Sequence, residues 1–512
     1  MMYNRQIQQR RSHGWRERWM HRFGMDTAMA APLRRGELTV PNWMTGKSLA
    51  IFFVAAIMCW GTFGHVPEFD LLLTACLSAV LFLYGGMSMS KSWSHTKEKV
   101  FVKNVFVAGF VIRLLWILYL YFFFNPEHFD NTFGDRADVE WYMPFGQAIA
   151  ECISNGFDRS LAAVIKEWGA AIDDTAYPMW LGIVYLLTGN MSDVFIPFLV
   201  KCFIGGYSAV LIYKVAKRHF GEGTARMAAI FVCVNPNLIY WCGSMMKEAE
   251  MVFLCCLSVE QLDIALSTGK MRFKTLWPGM LAAIVLFFFR SALGLVVFLA
   301  VFAHIVMASQ RVMSTGKKVI AGVLVFALLV VSIGDRVMQQ SRSMLQNVEG
   351  GGQRTNMEWR ANRAGGNSLA KYAGAAVFAP LIFTLPFPTF NQANTDQIVQ
   401  VQLAGGSYIK NILSFFVIIV MLMMLISGEW RQHVFILAFT VGYLAVLVFS
   451  GHAQSGRFHM PVFPMLMLFA AYGVQIAKSN VRMKRWFTIA LLIEVVACLA
   501  WNWFKLKGRG MI

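Results

Sequence analysis

The feature that most constrains this chain is a series of strongly apolar runs that recurs from Ser48 to Phe504. Each run approaches the roughly 20 residues that a helix needs to cross about 30 Å of hydrocarbon. Such runs fold as helices, because a backbone in contact with lipid must satisfy its own hydrogen bonds. Only 14% of the residues are charged, while 57% are hydrophobic. We therefore expect an all-α polytopic membrane protein rather than a soluble domain with a single anchor.

The distribution of basic residues sets the expected orientation. Residues 1–47 are Arg-rich, as in RQIQQRRSHGWRERWMHR, and basic segments stay on the cytoplasmic side of a membrane. The net charge of +18 therefore reports topology before it reports a ligand, and no nucleic-acid partner is expected. Placing the basic links inside gives about 13 transmembrane helices in a bacterial cytoplasmic (inner) membrane, with the N-terminus cytoplasmic. Only the C-terminal KLKGRGMI then lies outside, against the rule.

This topology divides the chain into four parts. They are a basic cytoplasmic tail (1–47), a transmembrane module (48–334) with a catalytic outer loop (125–193), a long outer loop (335–410) with a re-entrant segment (373–388), and C-terminal transmembrane helices (411–512). The expected spans are 48–66, 70–89, 101–124, 194–216, 225–242, 250–267, 276–290, 291–308, 319–334, 411–427, 433–450, 461–477 and 486–504. Segments 142–155 and 177–188 are amphipathic and are expected to form helices at the outer surface.

Polar segments converge on the outer side of this topology. They supply Asp135, Asp138, Glu140, Asp173, Asp174, Lys247, Glu248, Arg290 and Arg457. The spans themselves are nearly free of carboxylates, whereas a transporter places polar groups near the midplane. The arrangement favours chemistry at the outer surface. Each charge also has a simpler interpretation, as a solvated loop acid, a helix-start pair or a snorkelling anchor. The nine cysteines show neither a disulfide framework nor metal-ligand spacing.

Four weak motifs in a fixed order resemble the glycosyltransferase C superfamily. Asp138 and Tyr142 lie on a predicted surface helix, and Tyr177 with Pro178 opens a second one. A span, a basic turn and another span then lead to the outer pair Lys247 and Glu248, and GRFHMPVFPMLMLFAAYG enters a late span. The closest likeness is to protein O-mannosyltransferase-like and aminoarabinose-transferase-like enzymes, which use polyprenyl-phosphate sugars. It covers residues 101–310 and 450–475.

The resemblance implies roles for these residues. An outer-loop Asp acts as general base on the acceptor in this superfamily, which here indicates Asp138, with Asp135 as a close rival. The leaving polyprenyl phosphate needs cations where its charge develops. The candidates for that role are Lys247, Arg290 and Arg457, with His459 as a candidate donor. Glu248 matches a second acidic position that assists a divalent metal in some members, and Tyr142 and Tyr177 would orient substrate. Whether a metal takes part stays open.

The function that follows is a membrane glycosyltransferase of the cell envelope that inverts the anomeric centre. It would move a sugar from a polyprenyl-phosphate donor to a glycan, lipid or protein acceptor at the outer face, as in polysaccharide biosynthesis. One alternative is an O-antigen-type polysaccharide polymerase or ligase, which would rely on the Arg residues of loop 335–410. The other is a lipid-linked-sugar flippase without chemistry, which would need a polar path through the spans.

Overall fold

A computed structural model describes residues 39–124, 136–170, 174–268, 273–307, 366–369, 375–392 and 397–512, together with residues 358, 361 and 362. The described chain is helical throughout and contains no strand, which confirms the expected fold class. Several predictions concern residues outside these ranges. They are Asp135, most of the basic tail, the span 319–334 and most of the loop 335–410.

Seven helices in the described ranges are long and apolar enough to cross a membrane. They are α1 (Asn42–Phe63), α2 (Phe69–Ser92), α3 (Glu98–Phe124), α7 (Phe195–Cys233), α14 (Ala404–Ser427), the helical segment Gly456–Ser479 that ends in α16 (Phe463–Ser479), and α17 (Val481–Lys507). The chain is therefore a multi-pass membrane protein, as its composition indicates. The expected count of about 13 crossings is not confirmed by these seven.

The remaining helices are shorter or less apolar. Four are apolar but short: α6 (Ala176–Thr188), α10 (Phe273–Phe289), α11 (Ser291–Met307) and α15 (Val434–Phe449). The others are α4 (Arg136–Ser154), α5 (Leu161–Glu167), α8 (Pro236–Tyr240), α9 (Glu248–Thr268), α12 (Ala375–Leu381) and α13 (Ile398–Gln402). Helix α9 begins with two acidic residues, Glu248 and Glu250, which suit the positive end of a helix dipole.

The centre of the fold is α7, which packs closely against α3. A Cβ atom on Gly206 would lie 2.9 Å from the carbonyl oxygen of Phe106, so only glycine allows the two backbones to approach this far. Helix α7 is divided at Gly221, whose φ of 79° and ψ of 176° are not helical. A side chain is strained at that φ, and glycine avoids the strain. The two arms therefore change direction at this residue.

The predicted span 225–242 is not one helix in the structure. The second arm of α7 ends at Cys233, and α8 begins two residues after Val234. Asn235 caps α8 by accepting a hydrogen bond from the Leu238 backbone N–H, and Pro236 occupies its first turn. Residues 234–247, which we call the hook, thus form a compact buried connection between α7 and α9.

One end of the helical bundle collects the basic links that the sequence places together. Arg226 on the second arm of α7 donates to the backbone carbonyls of Trp93 and Thr96 at 2.9 and 2.8 Å. Lys217 pairs with Glu98 across 2.6 Å. We call this the basic end. The C-terminal residues lie at the opposite end, beside the loop preceding α12, where the Ser368 backbone N–H donates to Gly508 O at 2.8 Å.

Candidate functional site: a carboxylate–cation cluster

A group of charged and aromatic side chains meets at the end of the bundle opposite the basic end. We call it the carboxylate–cation cluster and define it as Asp138, Tyr142, Asp174, Lys247, Glu248, Arg290 and Arg457. These residues come from α4, the chain before α6, the junction of hook and α9, the α10–α11 turn, and the 3₁₀ turn Gly456–Val462. Five separate segments therefore build one polar site.

Arg457 holds two of the carboxylates. Its Nη2 lies 2.5 Å from Oδ2 of Asp138, and its Nε donates to Oε1 of Glu248. The Arg457 side chain is 13% exposed, whereas that of Asp138 is 39% exposed. A planar guanidinium can engage two carboxylates in one fixed geometry, which an ammonium group does less well. Arg457 thus joins the first surface helix to the start of α9.

Glu248 is completely buried yet charged. Burial alone would raise its pKa, but Arg457 first, and then Arg290 and Lys247, hold the pKa of this carboxyl below its ordinary value. Its position in the first turn of α9 also favours a negative charge. Its second oxygen, Oε2, has no hydrogen-bond partner among the described residues. The charge of Glu248 therefore depends mainly on its pairing with Arg457.

Lys247 lies beside Glu248 in sequence but pairs with a different acid. Its Nζ donates to Oδ1 of Asp174, and to the carbonyl oxygen of Phe289 at 2.7 Å. Burial lowers the pKa of Lys247, and the neighbouring Asp174 opposes that change. The ammonium also lies 5.8 Å from the centre of the Tyr142 ring. The two adjacent residues thus connect to different carboxylates. Lys247 pairs directly with Asp174, whereas Glu248 is joined to Asp138 through Arg457.

Arg290 forms the sharp turn between α10 and α11, as the sequence predicts. Its guanidinium carbon lies 4.4 Å above the Phe458 ring, and Nη1 donates to the Tyr443 hydroxyl at 3.1 Å. Burial opposes its charge, but Tyr443 and Glu248 raise the pKa of Arg290 above its ordinary value. In the described parts of the chain, Arg290 forms no salt bridge within 4.0 Å with a carboxylate.

Two tyrosines connect the surface helices. The Tyr142 hydroxyl donates to Oδ1 of Asp174 at 3.2 Å, and its ring meets that of Tyr177 edge to face, with centres 5.1 Å apart. Burial and then Asp174 raise the pKa of Tyr142, so its hydroxyl stays protonated. Tyr177 is itself fully buried, and its hydroxyl accepts a hydrogen bond from Lys201. Tyr177 therefore lies behind the cluster and Tyr142 within it.

Among the described sequence candidates, His459, like Tyr177, is not part of the cluster. His459 is completely buried, with Nδ1 at 3.1 Å from Nζ of Lys410 and Nε2 at 2.7 Å from the carbonyl oxygen of Ala453. Both ring nitrogens are thus occupied by groups outside the cluster. Asp135 lies outside the described residues. Glu140 is exposed on α4, as expected of a solvated charge.

Asp174 is the cluster residue to which sequence reasoning assigns no role. The sequence places it at the outer face in AAIDDTAYP, directly before the predicted surface helix, and nothing marks its partner. Its contacts with Tyr142 and Lys247 come from residues 32 and 73 positions away. An acid that precedes a surface helix in a chain of this kind is the signal that could have singled it out.

The cluster does not fit a metal ion. The described residues contain no group of three or more His, Cys, Asp or Glu side chains placed to hold one. Asp138 and Glu248 both face Arg457, and Asp174 faces Lys247, so each carboxylate already has a cationic partner. We therefore derive no step through a metal.

Comparison with protein families gives one match, to part of the chain. Residues 167–339 match the model of the Alg9-like mannosyltransferase family. This stretch is similar to a family of membrane glycosyltransferases of the glycosyltransferase C type. The superfamily resemblance drawn from the sequence is thereby confirmed over about a third of the chain. No curated protein and no solved structure matches the chain.

The matched segment contains four of the seven cluster residues. Asp174, Lys247, Glu248 and Arg290 lie inside it, whereas Asp138, Tyr142 and Arg457 lie outside. The match indicates a membrane glycosyltransferase, and an enzyme of that type implies a lipid-linked sugar donor and a membrane. The identity of donor and acceptor and the role of each residue go beyond the match.

Proposed function

We propose that the chain moves a sugar from a polyprenyl-phosphate donor to an acceptor at the outer face of a bacterial cytoplasmic membrane, with inversion at the anomeric carbon. The family that residues 167–339 resemble favours a mannosyl-type hexose as the sugar. The acceptor would be a glycan, lipid or protein of the cell envelope. The observation that carries the proposal is the carboxylate–cation cluster, in which five segments join acids and cations at one end of the bundle.

The general base in this proposal is Asp138. It is the most exposed carboxylate paired with Arg457, since Glu248 is completely buried. As the acceptor hydroxyl attacks the anomeric carbon from the face opposite the phosphate, Asp138 takes the hydroxyl proton. Arg457 holds this carboxylate in a fixed orientation, and such orientation lowers the entropic barrier of the step. Glu248 fixes Arg457 from the other side.

The leaving group in this proposal is an anionic polyprenyl phosphate. The bond between the anomeric carbon and the phosphate oxygen breaks with its electron pair on the phosphate. Arg290 is the main candidate to receive that charge, because it has no carboxylate partner in the described parts of the chain. Lys247 contributes a second positive charge close to Arg290. The two cations repel each other, and a bound anionic phosphate would offset that repulsion.

Nothing in the described chain favours a flippase. The buried arginines and lysines of the described spans donate to backbone carbonyls and so stabilise the fold; they are Arg113, Lys201, Arg226 and Lys410. A polymerase or ligase would rely on Arg residues of loop 335–410, most of which lies outside the described residues. An enzyme of that kind would keep its activity when Asp138 is replaced, whereas the proposed glycosyltransferase would lose it.

The test is sugar transfer from a radiolabelled polyprenyl-phosphate mannose by the purified protein, with bacterial membrane extract as a mixed acceptor. We expect Asp138→Asn to lower kcat at least about a hundredfold, since general bases typically contribute that much. Glu140→Gln is the matched control, because Glu140 is exposed on the same helix and should leave the rate unchanged. Asp135→Asn tests the rival base.

The outcomes separate the alternatives. Transfer lost with Asp138→Asn, but not with Glu140→Gln, supports the proposed base. Transfer that persists in Asp138→Asn and is lost in Asp135→Asn moves the role to Asp135. If both variants transfer at the wild-type rate, the cluster is not the catalytic centre. Wild-type protein that releases no sugar from any carrier would contradict the proposed function itself.

A further inference from the structure

A buried lysine behind the cluster has no place in the mechanism above. Lys201 lies near the start of α7 and is completely inaccessible to solvent. Its ammonium donates to the carbonyl oxygens of Ser244 and Met246 at 2.6 and 2.5 Å, and to the Tyr177 hydroxyl at 3.2 Å. Three donors on one ammonium thus meet three acceptors. Burying such a charge is costly, so its contacts call for an explanation.

The first two contacts fix the end of the hook. Ser244 and Met246 precede Lys247 and Glu248 directly, in a stretch of bends between the 3₁₀ turn Trp241–Gly243 and α9. Carbonyl groups in such a stretch have no helical partner and must find another donor in a low-dielectric interior. Lys201 supplies it. The backbone positions of Lys247, the last residue of the hook, and Glu248, the first residue of α9, therefore depend on this ammonium.

The third contact reaches the other half of the cluster. Tyr177 lies on α6, and its ring packs against Tyr142 on α4. Tyr142 is one helical turn beyond Asp138, so both side chains lie on the same face of α4. A single ammonium thereby connects the segment that carries Glu248 with the helix that carries the proposed base.

A second buried cation shows the same chemistry without this connection. Arg113 on α3 donates to the carbonyl oxygens of Val232 and Cys233, at the other end of the hook. These carbonyls close the second arm of α7 and, like all at a helix C-terminus, lack intrahelical donors. Arg113 does not contact the surface helices through any of its hydrogen bonds. Lys201 differs from Arg113 because its hydrogen bonds connect the hook with Tyr177 on α6.

We propose that Lys201 is a positioning residue of the proposed transfer, which sets the hook and the surface helices in register so that Lys247 meets Asp174 and Glu248 meets the guanidinium of Arg457 that holds Asp138. The inference rests on the proposed function. A displacement of about 1 Å between reacting groups can lower a rate about a hundredfold. Loss of Lys201 should therefore lower kcat without removing any side chain that touches substrate.

The test must separate position from stability. Glu250 lies 3.7 Å from Lys201, and neither of its carboxylate oxygens has a hydrogen-bond partner among the described residues. Lys201→Met alone would leave Glu250 buried beside an apolar side chain and would destabilise the protein for that reason. The decisive variant is therefore Lys201→Met/Glu250→Gln, which removes both charges together. Lys214→Met, at the other end of the same arm of α7, is the matched control.

Three measurements are made on the double variant. Hydrogen–deuterium exchange by mass spectrometry follows peptides that cover residues 244–248 and 136–142, thermal unfolding gives the stability, and the transfer assay gives kcat and KM. We expect exchange at least about tenfold faster in both peptides and kcat reduced roughly tenfold to a hundredfold. The thermal midpoint should fall, because the Ser244 and Met246 carbonyls lose their donor, but unfolding should stay cooperative. Lys214→Met should match the wild type in all of them.

Each outcome decides. Exchange that is unchanged in the stable double variant overturns the proposal, whatever the activity. Faster exchange with full kcat shows that Lys201 stabilises the hook but does not position the reaction, and this also overturns it. Wild-type protein without transfer activity would refute the proposed function and the catalytic half of this inference together. The exchange result would then still establish or refute the structural link.

Discussion

At the scale of single residues, the site depends on one guanidinium between two acids. Arg457 contacts both Asp138 and Glu248. The other carboxylate oxygen of Glu248, Oε2, has no hydrogen-bond partner among the described residues. A buried carboxylate that loses its cation carries an uncompensated charge, which typically costs about 3–5 kcal/mol. Arg457 therefore combines two roles, orientation of the proposed base and compensation of Glu248.

These roles separate in two substitutions. Arg457→Lys keeps the positive charge but loses the planar fork, so we expect a stable protein whose kcat is lowered at least about tenfold. Arg457→Met leaves Glu248 unpaired and should destabilise the fold by about 3 kcal/mol or more. Thermal unfolding in detergent and the transfer assay measure the two effects. Adding Glu248→Gln to Arg457→Met should recover much of the stability and none of the activity.

The residues of this site were partly predictable. Charge bias places Asp138, Lys247, Glu248, Arg290 and Arg457 on one side of the membrane, and the structure gathers them at one end of the bundle. Side-chain direction was beyond the sequence. Arg457 and His459 are two positions apart on a 3₁₀ turn, which has three residues per turn, so they point to different sides. His459 consequently meets Lys410 instead of the cluster.

At the scale of helices, hydropathy predicts most of the spans but misses the hook. The run 225–242 is mostly apolar, so a hydropathy average over a window predicts a single helix. The local signal against a continuous helix is Asn235 followed by Pro236, because a residue before proline avoids the helical conformation. Buried partners such as Arg113 and Lys201 make a break within the bundle tolerable, and no local pattern reveals them.

A second contact between helices, at the basic end, predicts a pH dependence. Nδ1 of His219 lies 2.8 Å from Nδ1 of His433, at the start of α15, and Nε2 of His219 lies 2.8 Å from Asp263 on α9. Arg218 also binds Asp263, and Phe220 stacks on His433. One of the two facing Nδ1 atoms must donate and the other must accept. If both Nδ1 atoms carry a proton, neither can accept and the hydrogen bond is lost.

The direction of the effect follows from the pKa of His433. Burial and then His219 lower it from 6.5 to about 4, with Asp263 in partial opposition. Above pH 6.5 His433 is neutral in both folded and unfolded chains, and its contribution to stability is complete. Between pH 6.5 and about 4 only the unfolded chain takes up the proton, so stability falls with pH, by about 3 kcal/mol at most.

This dependence is measurable as the thermal unfolding midpoint from about pH 7 to about pH 4.5. We expect the wild-type midpoint to fall on acidification more steeply than that of His433→Gln, whose amide keeps a donor toward His219 but does not titrate. Curves of the two proteins that fall in parallel would remove His433 as the source. Transfer activity at neutral pH should be equal in both, because the pair lies at the end opposite the cluster.

At the scale of the whole molecule, the arrangement of charges gives the bundle two distinct ends. The links expected in the cytoplasm contact one another, as Arg226 does with Trp93 and Thr96, and the expected outer segments meet in the cluster. The number of crossings does not follow from hydropathy, because helices such as α10 and α11 are apolar but shorter than a typical span.

The orientation of the bundle in the membrane determines which leaflet supplies the donor. The positive-inside rule assigns the basic end to the cytoplasm, which leaves the cluster to act on lipid-linked sugars presented at the outer leaflet. Glu140→Cys near the cluster and His95→Cys at the basic end both place a thiol at an exposed position, whereas the nine native cysteines are buried or nearly so. In intact bacterial cells, a membrane-impermeant maleimide should label the first variant, and the second only after permeabilisation. The reverse pattern would turn the cluster toward the cytoplasm, and a donor at the inner leaflet would then replace the one proposed here.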